Sequence, residues 1–306
     1  MRSKSVASVT RKIYFKQHLN FAKDPVLLHR CVKMFSDPTY FSLTKKDFEG
    51  IHILDAGSGN SGFLEIAMIG LGAGHVTCLD IGKQWIPALR TLLKKYAPPE
   101  KFDFVDASTD KIPFPDNHFD MVFSQGVLMH LNNMEQTKRA WKELARVTKR
   151  GGYLYVSLGN PSGLLEDAVI PAVRKYYNTN KEFKHFIDTQ NPDMWKGFLK
   201  SLSESMQKRT GEHFAYENIA PLLDWDFCTM LQNTIQCPHR YITQTDQDHV
   251  LAMYKQNKFK PPRRCRRFVV RHNIRKFFAP LHFGDVPYLS KLVYGPGCLE
   301  YIAQKR

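Results

Sequence analysis

The stretch I-H-I-L-D-A-G-S-G-N-S-G, residues 51–62, decides the fold of this chain. Its first five residues form a short, largely apolar run that is typical of a buried strand, and an apolar helical stretch follows its last glycine. Glycines between a strand and a helix allow a tight turn and let a ligand approach the main chain closely. They fit G-x-G-x-x-G, a pattern that alone also fits a dinucleotide site. The stretch therefore predicts a strand, a ligand-binding turn and a helix.

The same alternation continues along the chain. Short apolar runs predict further strands, and the segments between them show apolar residues at helical spacing. Alternating strands and helices are typical of a parallel sheet that is covered by helices on both faces, so we predict an α/β fold. The predicted strands are 51–55, 75–80, 102–106, 119–124 and 153–158, and the predicted helices are about 61–69, 83–96 and 134–148.

A different composition follows the alternating region. Residues 161–242 read mostly as helices with many aromatic residues, and we expect them to cover the carboxyl edge of the sheet. The β/α pattern then returns, with a helix at 245–256 and strands at 265–270 and 298–303. The predicted domains are an N-terminal helical lead (1–48), an α/β core (49–160), a helical substrate-cap insertion (161–242) and the C-terminal completion of the core (243–306).

Three predicted strands end in an aspartate. Asp55 ends the first strand, Asp80 the second and Asp106 the third. The Asp80 carboxylate can accept hydrogen bonds from both hydroxyls of a ribose, and Asp106, beside Ala107, can meet an adenine amino group. Aspartates also serve as turn and helix-cap residues, but three of them along one sheet edge make a nucleoside-shaped site.

The composition indicates a folded protein. Hydrophobic residues make up 43% of the 306 residues, whereas a disordered chain lacks the apolar surface that offsets the entropy of ordering. No run approaches the roughly 18 apolar residues of a membrane helix, so we predict no membrane span and a cytoplasmic location. The first 23 residues are basic and contain no acidic residue, which leaves import into an organelle open.

The excess of basic residues has two interpretations. The chain has 44 Lys and Arg against 29 Asp and Glu, a net charge of +15, and residues 258–276 interleave basic residues with phenylalanines. This combination suits a phosphate backbone and unstacked bases, but alternating charges are also typical of a solvated edge strand. A nucleic-acid partner that binds at 258–276 therefore remains one hypothesis and a solvated surface the other.

No metal site is predicted. The six cysteines are spread along the chain without a C-x-x-C pair, and the 12 histidines show no ligand spacing. Scattered cysteines of this kind are typical of core residues in a reducing compartment.

Six motifs together resemble those of a known family. Through these motifs the sequence resembles the class I S-adenosylmethionine-dependent methyltransferases of the small, soluble type-11 kind. One departure is Lys258-Phe259, where the family usually has Gly-Phe. The motifs are D-A-G-S-G-N-S-G (55–62), V-T-C-L-D (76–80), F-V-D-A (104–107), I-P-F-P-D-N-H-F-D-M-V-F-S (112–124), V-L-M-H-L (127–131) and L-A-R-V-T-K-R-G-G-Y-L-Y-V (144–156).

The resemblance implies a fold, a cofactor and a set of binding residues. The fold would be a Rossmann-like, doubly wound sheet of seven strands, mostly parallel with the last strand antiparallel, and the cofactor S-adenosyl-L-methionine. The implied contacts are Gly57, Ser58 and Gly59 under the methionine part, Asp55 at the turn and the amino group, Asp80 on the ribose, Ile81 on the adenine, Asp106 and Ala107 at the adenine edge, and Ser124 and Gln125 near the sulfonium.

The predicted reaction is methyl transfer to a small organic acceptor. The leaving group is neutral, so alignment of the nucleophile with the methyl group contributes much of the rate, and a base can take the acceptor's proton. His130, just after the fourth strand, is the candidate base, although a histidine at the start of a helix can also only pack or cap. Two alternatives remain: an RNA or protein methyltransferase that uses the basic flanks, and a non-catalytic cofactor-binding scaffold.

Overall fold

A computed structural model describes residues 12–16, 18–19, 25–159, 161–237, 243, 245–265, 288, 292–293, 295 and 297–306. Its centre is a seven-stranded sheet. The strands are β1 (His52–Ala56), β2 (His75–Asp80), β3 (Phe102–Asp106), β4 (Phe119–Gln125), β5 (Thr148–Leu158), β6 (Arg263–Arg264) and β7 (Leu299–Gln304).

The strand order is β3-β2-β1-β4-β5-β7-β6. The first five strands run parallel, and β7 pairs antiparallel with both β5 and β6. The sheet reverses its order beside β1, and ligands of open α/β sheets bind at such a switch point, outside the carboxyl ends of the strands. The prediction of a doubly wound, mostly parallel sheet of seven strands with the last strand antiparallel is confirmed.

The chain divides into two compact units. Unit 1 comprises Met1–Ser162, His239–Phe268 and Gly295–Arg306, and unit 2 comprises Gly163–Pro238 and Val269–Tyr294. The helices of unit 1 are α1 (Pro25–Phe35), α2 (Phe63–Gly70), α3 (Ile86–Leu93), α4 (Met134–Val147) and α9 (Gln247–Gln256). Those of unit 2 are α5 (Ile170–Thr179), α6 (Lys181–Thr189), α7 (Pro192–Thr210) and α8 (Trp225–Gln236).

Within unit 2, the helices enclose small cores of their own. One contains Tyr177 of α5, Ile187 of α6 and Ile235 of α8. A second lies around Phe227 of α8 and is joined by Trp195 of α7. Among the described residues, no helix is both long and apolar enough to cross a membrane.

Unit 1 has a hydrophobic core on each face of its sheet. Successive strand residues point to opposite faces, so Ile53 belongs to one core and Leu54 to the other. The first core contains residues of α1, α2 and α3, and the second contains residues of α4 and α9. Because both faces are covered, β1 and β4 are almost completely buried, as parallel strands in α/β proteins are.

Element boundaries differ from the prediction by a few residues, for local reasons. Helix α3, predicted at about 83–96, begins at Ile86 because Pro87 lacks an N–H and belongs in the first helical turn. The strand predicted at 265–270 is displaced: β6 is Arg263–Arg264, which pairs with β7, and Cys265 lies just beyond its end. Its remainder, residues 266–270, lies outside the described residues, as does the basic stretch through residue 276.

Arg146, near the end of α4, holds the loop before β4. Its guanidinium donates to the carbonyls of Ile112 and Phe114, at 2.9 and 2.7 Å, and to Asp116 Oδ1 at 2.9 Å. It also pairs with Glu143, whose Oε2 accepts the Ile112 amide. These bonds raise the pKa of Arg146 and lower that of Glu143, chiefly through their mutual hydrogen bonds. Arg146, in the motif at 144–156, thus fixes the loop that begins the motif at 112–124.

Arg146→Leu should lower the free energy of unfolding by about 2–4 kcal/mol, because it leaves two carbonyls and a partly buried carboxylate without their donor. Urea denaturation of both proteins measures the change. The matched control is Arg139→Leu, which removes the single ion pair of a half-exposed arginine with Asp110 and should cost less than about 1 kcal/mol. Equal losses in the two variants would contradict the assigned role of Arg146.

Candidate functional site

The glycine loop, residues 57–62, connects β1 to α2 at the carboxyl edge of the sheet. Gly57 has φ +102°, and a Cβ atom there would lie 2.1 Å from the side chain of Val127. Gly59 has φ +57°, and its Cβ would lie 2.7 Å from the His18 ring. Both positions therefore require glycine for two reasons: the backbone has a positive φ, and a neighbouring side chain lies where a Cβ atom would be.

Backbone hydrogen bonds join this loop to the end of β2. The amides of Gly57 and Ser58 both donate to the Leu79 carbonyl, at 2.7 and 3.1 Å. The Gly59 amide donates to Asp80 Oδ2 at 2.8 Å, and the Ile81 amide donates to Oδ1 of the same carboxylate at 2.6 Å. Each carboxylate oxygen has a second lone pair. Asp80 can therefore still accept ligand hydroxyls while it holds the loop.

Asp106, at the end of β3, lies next along the same edge. Its Oδ1 accepts the Gly82 amide at 2.5 Å, and its side chain is exposed. Ala107, which follows it, is half-buried and donates its amide to the Asp80 carbonyl. Parallel pairing places Asp80 beside Asp106. The structure thus brings the aspartates at the ends of β2 and β3 together.

Several buried polar atoms around the glycine loop have no hydrogen-bond partner. Such atoms are rare in folded proteins, and each one calls for a missing partner. S-adenosylmethionine carries an ammonium group, two ribose hydroxyls and an adenine amino group, and these donors fit the oxygens that line the loop. The atoms are Asp55 Oδ1, Ser58 Oγ, Asn60 Oδ1 and Ser124 Oγ.

The carboxyl group of Asp55 lies beside that of Glu65, in the first turn of α2. Both side chains are buried, with 3% and 1% of their surface exposed. Burial raises the pKa of both carboxyls, and the charge of the neighbouring Glu65 raises that of Asp55 further. The pair therefore holds at least one proton near neutral pH. Glu65 was not predicted from the sequence, because one glutamate in an apolar helix gives no sign of its partner.

A chain of hydrogen bonds fixes the side chain of Gln125. The Tyr155 hydroxyl donates to Gln125 Oε1 at 2.7 Å, and it lies 3.2 Å from the Tyr40 hydroxyl. Tyr40 in turn donates to Glu300 Oε2 at 3.0 Å. Since each phenol has one proton, Tyr40 satisfies Glu300 and Tyr155 satisfies Gln125. Tyr40, Tyr155 and Glu300 come from three distant parts of the sequence, and although Tyr155 lies in the motif at 144–156, no sequence pattern indicated their contact.

His130 lies in a short 3-10 turn, Leu128–His130, that follows β4. Thr243 holds this turn, since its hydroxyl donates to the Leu128 carbonyl at 2.6 Å and its amide to the Met129 carbonyl at 3.2 Å. The His130 ring is half-buried, and its Nε2 lies 3.0 Å from the Tyr14 hydroxyl. The role of His130 as a base stays a prediction.

The N-terminal segment, residues 12–16 and 18–19, is helical and lies on the glycine loop. Asn60 donates from Nδ2 to the Phe15 carbonyl at 3.4 Å, and Phe15 packs against the first core. Next to Gly59, burial lowers the pKa of His18 to about 4, so its ring is neutral at pH 7. A neutral ring can lie beside a cationic sulfonium without repelling it. The sequence predicted a basic, helical lead here but gave no sign of its contact with the glycine loop.

Among the described residues, no group of three or more His, Cys, Asp or Glu side chains is arranged to hold a metal ion. The three histidines that do cluster, His52, His75 and His118, contact one another at the opposite edge of the sheet. Burial and the neighbouring histidines lower the pKa of His52 to about 4.

The family model described as a methyltransferase domain matches residues 54–156, which span the glycine loop and the edge from β1 to β5. The fold is Rossmann-like, and the glycine loop lies at the switch point of its sheet. The chain contains a methyltransferase domain at residues 54–156. The predicted resemblance to the class I S-adenosylmethionine-dependent methyltransferases is confirmed over these residues, and so is the predicted cofactor, S-adenosyl-L-methionine.

Curated relatives match the same region. The ubiquinone/menaquinone biosynthesis C-methyltransferase UbiE of Azotobacter vinelandii is 30% identical over 125 residues, which cover 40% of this chain and 48% of the relative. The sterol 24-C-methyltransferase ERG6B of Gibberella zeae is 33% identical over 103 residues, 34% of this chain and 26% of the relative. The chain thus spans about half or less of the length of these relatives.

Among solved structures, the YcgJ protein of Bacillus subtilis is similar with a TM-score of 0.49 and 12% identity. The similarity covers 91% of this chain and 99% of that protein.

Glu65→Gln should flatten the dependence of stability on pH. A carboxyl that keeps its proton when folded and loses it when unfolded stabilises the folded chain at low pH, and this contribution disappears as the pH rises through the folded-state pKa. The wild type should therefore lose stability between pH 5 and pH 8, and the variant should lose less. Urea denaturation at both pH values measures this. Glu100→Gln, at an exposed position, is the control and should follow the wild type.

Proposed function

We propose that this protein transfers a methyl group from S-adenosylmethionine to a small organic acceptor and releases S-adenosylhomocysteine. The observation that carries the proposal is the carboxyl edge of the sheet. There, Asp80 and Asp106 lie side by side next to a glycine loop lined by unpartnered buried oxygens. An arrangement of bare backbone, carboxylates and unsatisfied acceptors is complementary to a nucleoside joined to an amino acid.

Each residue of the candidate site would contact a different part of the cofactor. Gly57 and Gly59 would leave room for the methionine part, and Asp55 would face its amino group. Ser58 and Ser124 would offer hydroxyls nearby, and Gln125 would line the sulfonium side. Asp80 would accept the ribose hydroxyls, Ile81 would pack on the adenine, and Asp106 with Ala107 would bind the adenine edge. The bound cofactor supplies an electrophilic methyl group on a neutral leaving group.

His130 would act on the acceptor. The His130 ring belongs to the turn after β4, at the same edge as the glycine loop. Val127, which directly precedes this turn, lies close to Gly57 of the loop. A neutral imidazole with Nε2 directed at a hydroxyl can accept its proton as the nucleophile forms. The positioning of acceptor and methyl group would contribute the larger part of the rate.

The names of the relatives favour a small acceptor over a macromolecule. One relative is named as a C-methyltransferase of ubiquinone/menaquinone biosynthesis and another as a sterol 24-C-methyltransferase. The rival, an RNA or protein methyltransferase, rests on the basic flanks, and most of the basic stretch 258–276 lies outside the described residues.

Incubation of the full chain with labelled S-adenosylmethionine and with separate metabolite and RNA extracts tests the proposal. A labelled small molecule supports it, and label in RNA with steep salt dependence supports the rival. If S-adenosylmethionine binds tightly and no extract is labelled, a protein extract included, the protein is a cofactor-binding scaffold.

Asp80→Ala should weaken the binding of S-adenosylhomocysteine by about tenfold to a few hundredfold. The variant loses two charge-assisted hydrogen bonds to ribose and also the acceptor that holds Gly59. Calorimetric titration measures the affinity. Asp103→Ala is the matched control, because Asp103 lies on β3 but is exposed and pairs with His75 away from the loop. Equal affinity for Asp80→Ala and wild type would refute the ribose role.

A further inference from the structure

A phenol of the chain itself lies against the candidate base. The hydroxyl of Tyr14 is 3.0 Å from His130 Nε2, and the two ring centroids are 4.9 Å apart with the planes tilted by 59°. Tyr14 belongs to the N-terminal segment and is 116 residues from His130 in sequence. Phe15, its neighbour, is packed against the first core, and Tyr14 is half-buried.

The Tyr14 ring lies beside the cofactor loop. On one side it meets the ring of His18 edge-on, with centroids 5.8 Å apart, and His18 covers Gly59. On its other side the Tyr14 ring meets His130, in the turn Leu128–His130. Val127, just before this turn, lies close to Gly57 of the loop. The ring therefore lies between the loop that would hold the methyl donor and the group that would take the acceptor's proton. An acceptor has to reach the same place.

We propose that the acceptor is a phenol, and that its hydroxyl replaces the Tyr14 hydroxyl on His130 when the N-terminal segment moves aside. This inference rests on the proposed function and names its substrate class. The place of the Tyr14 ring accommodates a flat aromatic ring, and His130 offers an imidazole nitrogen to a hydroxyl on that ring. An aliphatic amine or a carboxylate would not reproduce this pair of contacts.

The chemistry balances with the residues present. The phenol oxygen attacks the methyl carbon, the new O–C bond forms as the S–C bond breaks, and the electron pair of the S–C bond remains on sulfur. The phenol proton passes to His130 Nε2 and then to water. The products are an aryl methyl ether, S-adenosylhomocysteine and one proton. Phenols ordinarily have a pKa of about 10, so a base near neutrality assists without full prior ionisation.

The test uses p-cresol, which is the side chain of tyrosine as a separate molecule. In the full chain, Tyr14→Gly vacates the ring's place, and an apolar cavity of this size can bind a small aromatic compound. Tyr14→Phe keeps the ring and removes only its hydroxyl, so it should preserve the fold. Calorimetry in the presence of S-adenosylhomocysteine measures p-cresol binding, and labelled S-adenosylmethionine then measures its methylation.

We expect both binding and methylation of p-cresol to increase from wild type to Tyr14→Phe to Tyr14→Gly. The first step should be about two- to tenfold, the effect of one lost hydrogen bond. Adding His130→Phe to Tyr14→Gly should remove methylation and weaken binding. The product should be 4-methylanisole, and p-toluidine, an amine of the same shape, should react at least about tenfold more slowly because it has no phenolic proton to give His130.

Three results would overturn the inference: no p-cresol binding to Tyr14→Gly, binding without methylation, or a weaker response of Tyr14→Phe than of wild type. A weaker response of Tyr14→Phe would mean that the Tyr14 hydroxyl positions the acceptor and does not occupy the acceptor's place. Any of these leaves the proposed function standing if wild type binds S-adenosylhomocysteine and labels a small molecule in the extract. Failure of wild type to bind S-adenosylhomocysteine would remove both.

Discussion

The hydrogen bond from the Gly59 amide to Asp80 Oδ2, 2.8 Å long, is the interaction on which the site depends. It ties the turn after β1 to the end of β2, and the amides of Gly57 and Ser58 reinforce it at the Leu79 carbonyl. The turn can take this path only because its glycines adopt positive φ. The start of α2, the direction of the Asp80 carboxylate and the surface under the N-terminal segment all follow from it.

Burial favours the neutral forms of three titratable groups beside the loop, Asp55, Glu65 and His18. Asp55 and Glu65 hold a proton between them because desolvation raises the pKa of both carboxyls. Desolvation also keeps His18 uncharged. A carboxylate or an imidazolium at these positions would need solvent or an opposite charge. The loop is therefore surrounded by polar groups of low net charge, with the Asp80 and Asp106 carboxylates at its outer edge.

Most of the fold could be predicted from local sequence patterns. Strands β2 and β3 lie at 75–80 and 102–106 as predicted, because their patterns and the turn signals on both sides agree. Strands β1 and β7 each lie one residue later than predicted, and pairing extends β4 and β5. The glycines and the strand-end aspartates could be recognised because parallel strands bring their carboxyl ends to one edge. Glu65, Tyr155 and Arg146 could not be assigned their contacts, since each meets a partner that the sequence does not place beside it.

The sequence by itself determined the α/β class, the resemblance to a methyltransferase family and the sheet edge of the candidate site, because these rest on periodicity and on motifs whose chemistry is local. Tertiary structure alone decided what lies on that edge. Tyr14 on His130, His18 on Gly59 and Thr243 under the His130 turn join residues more than 40 positions apart. Such contacts depend on how helices and loops pack over the sheet, and packing is set by the shape of the whole core and not by any local pattern.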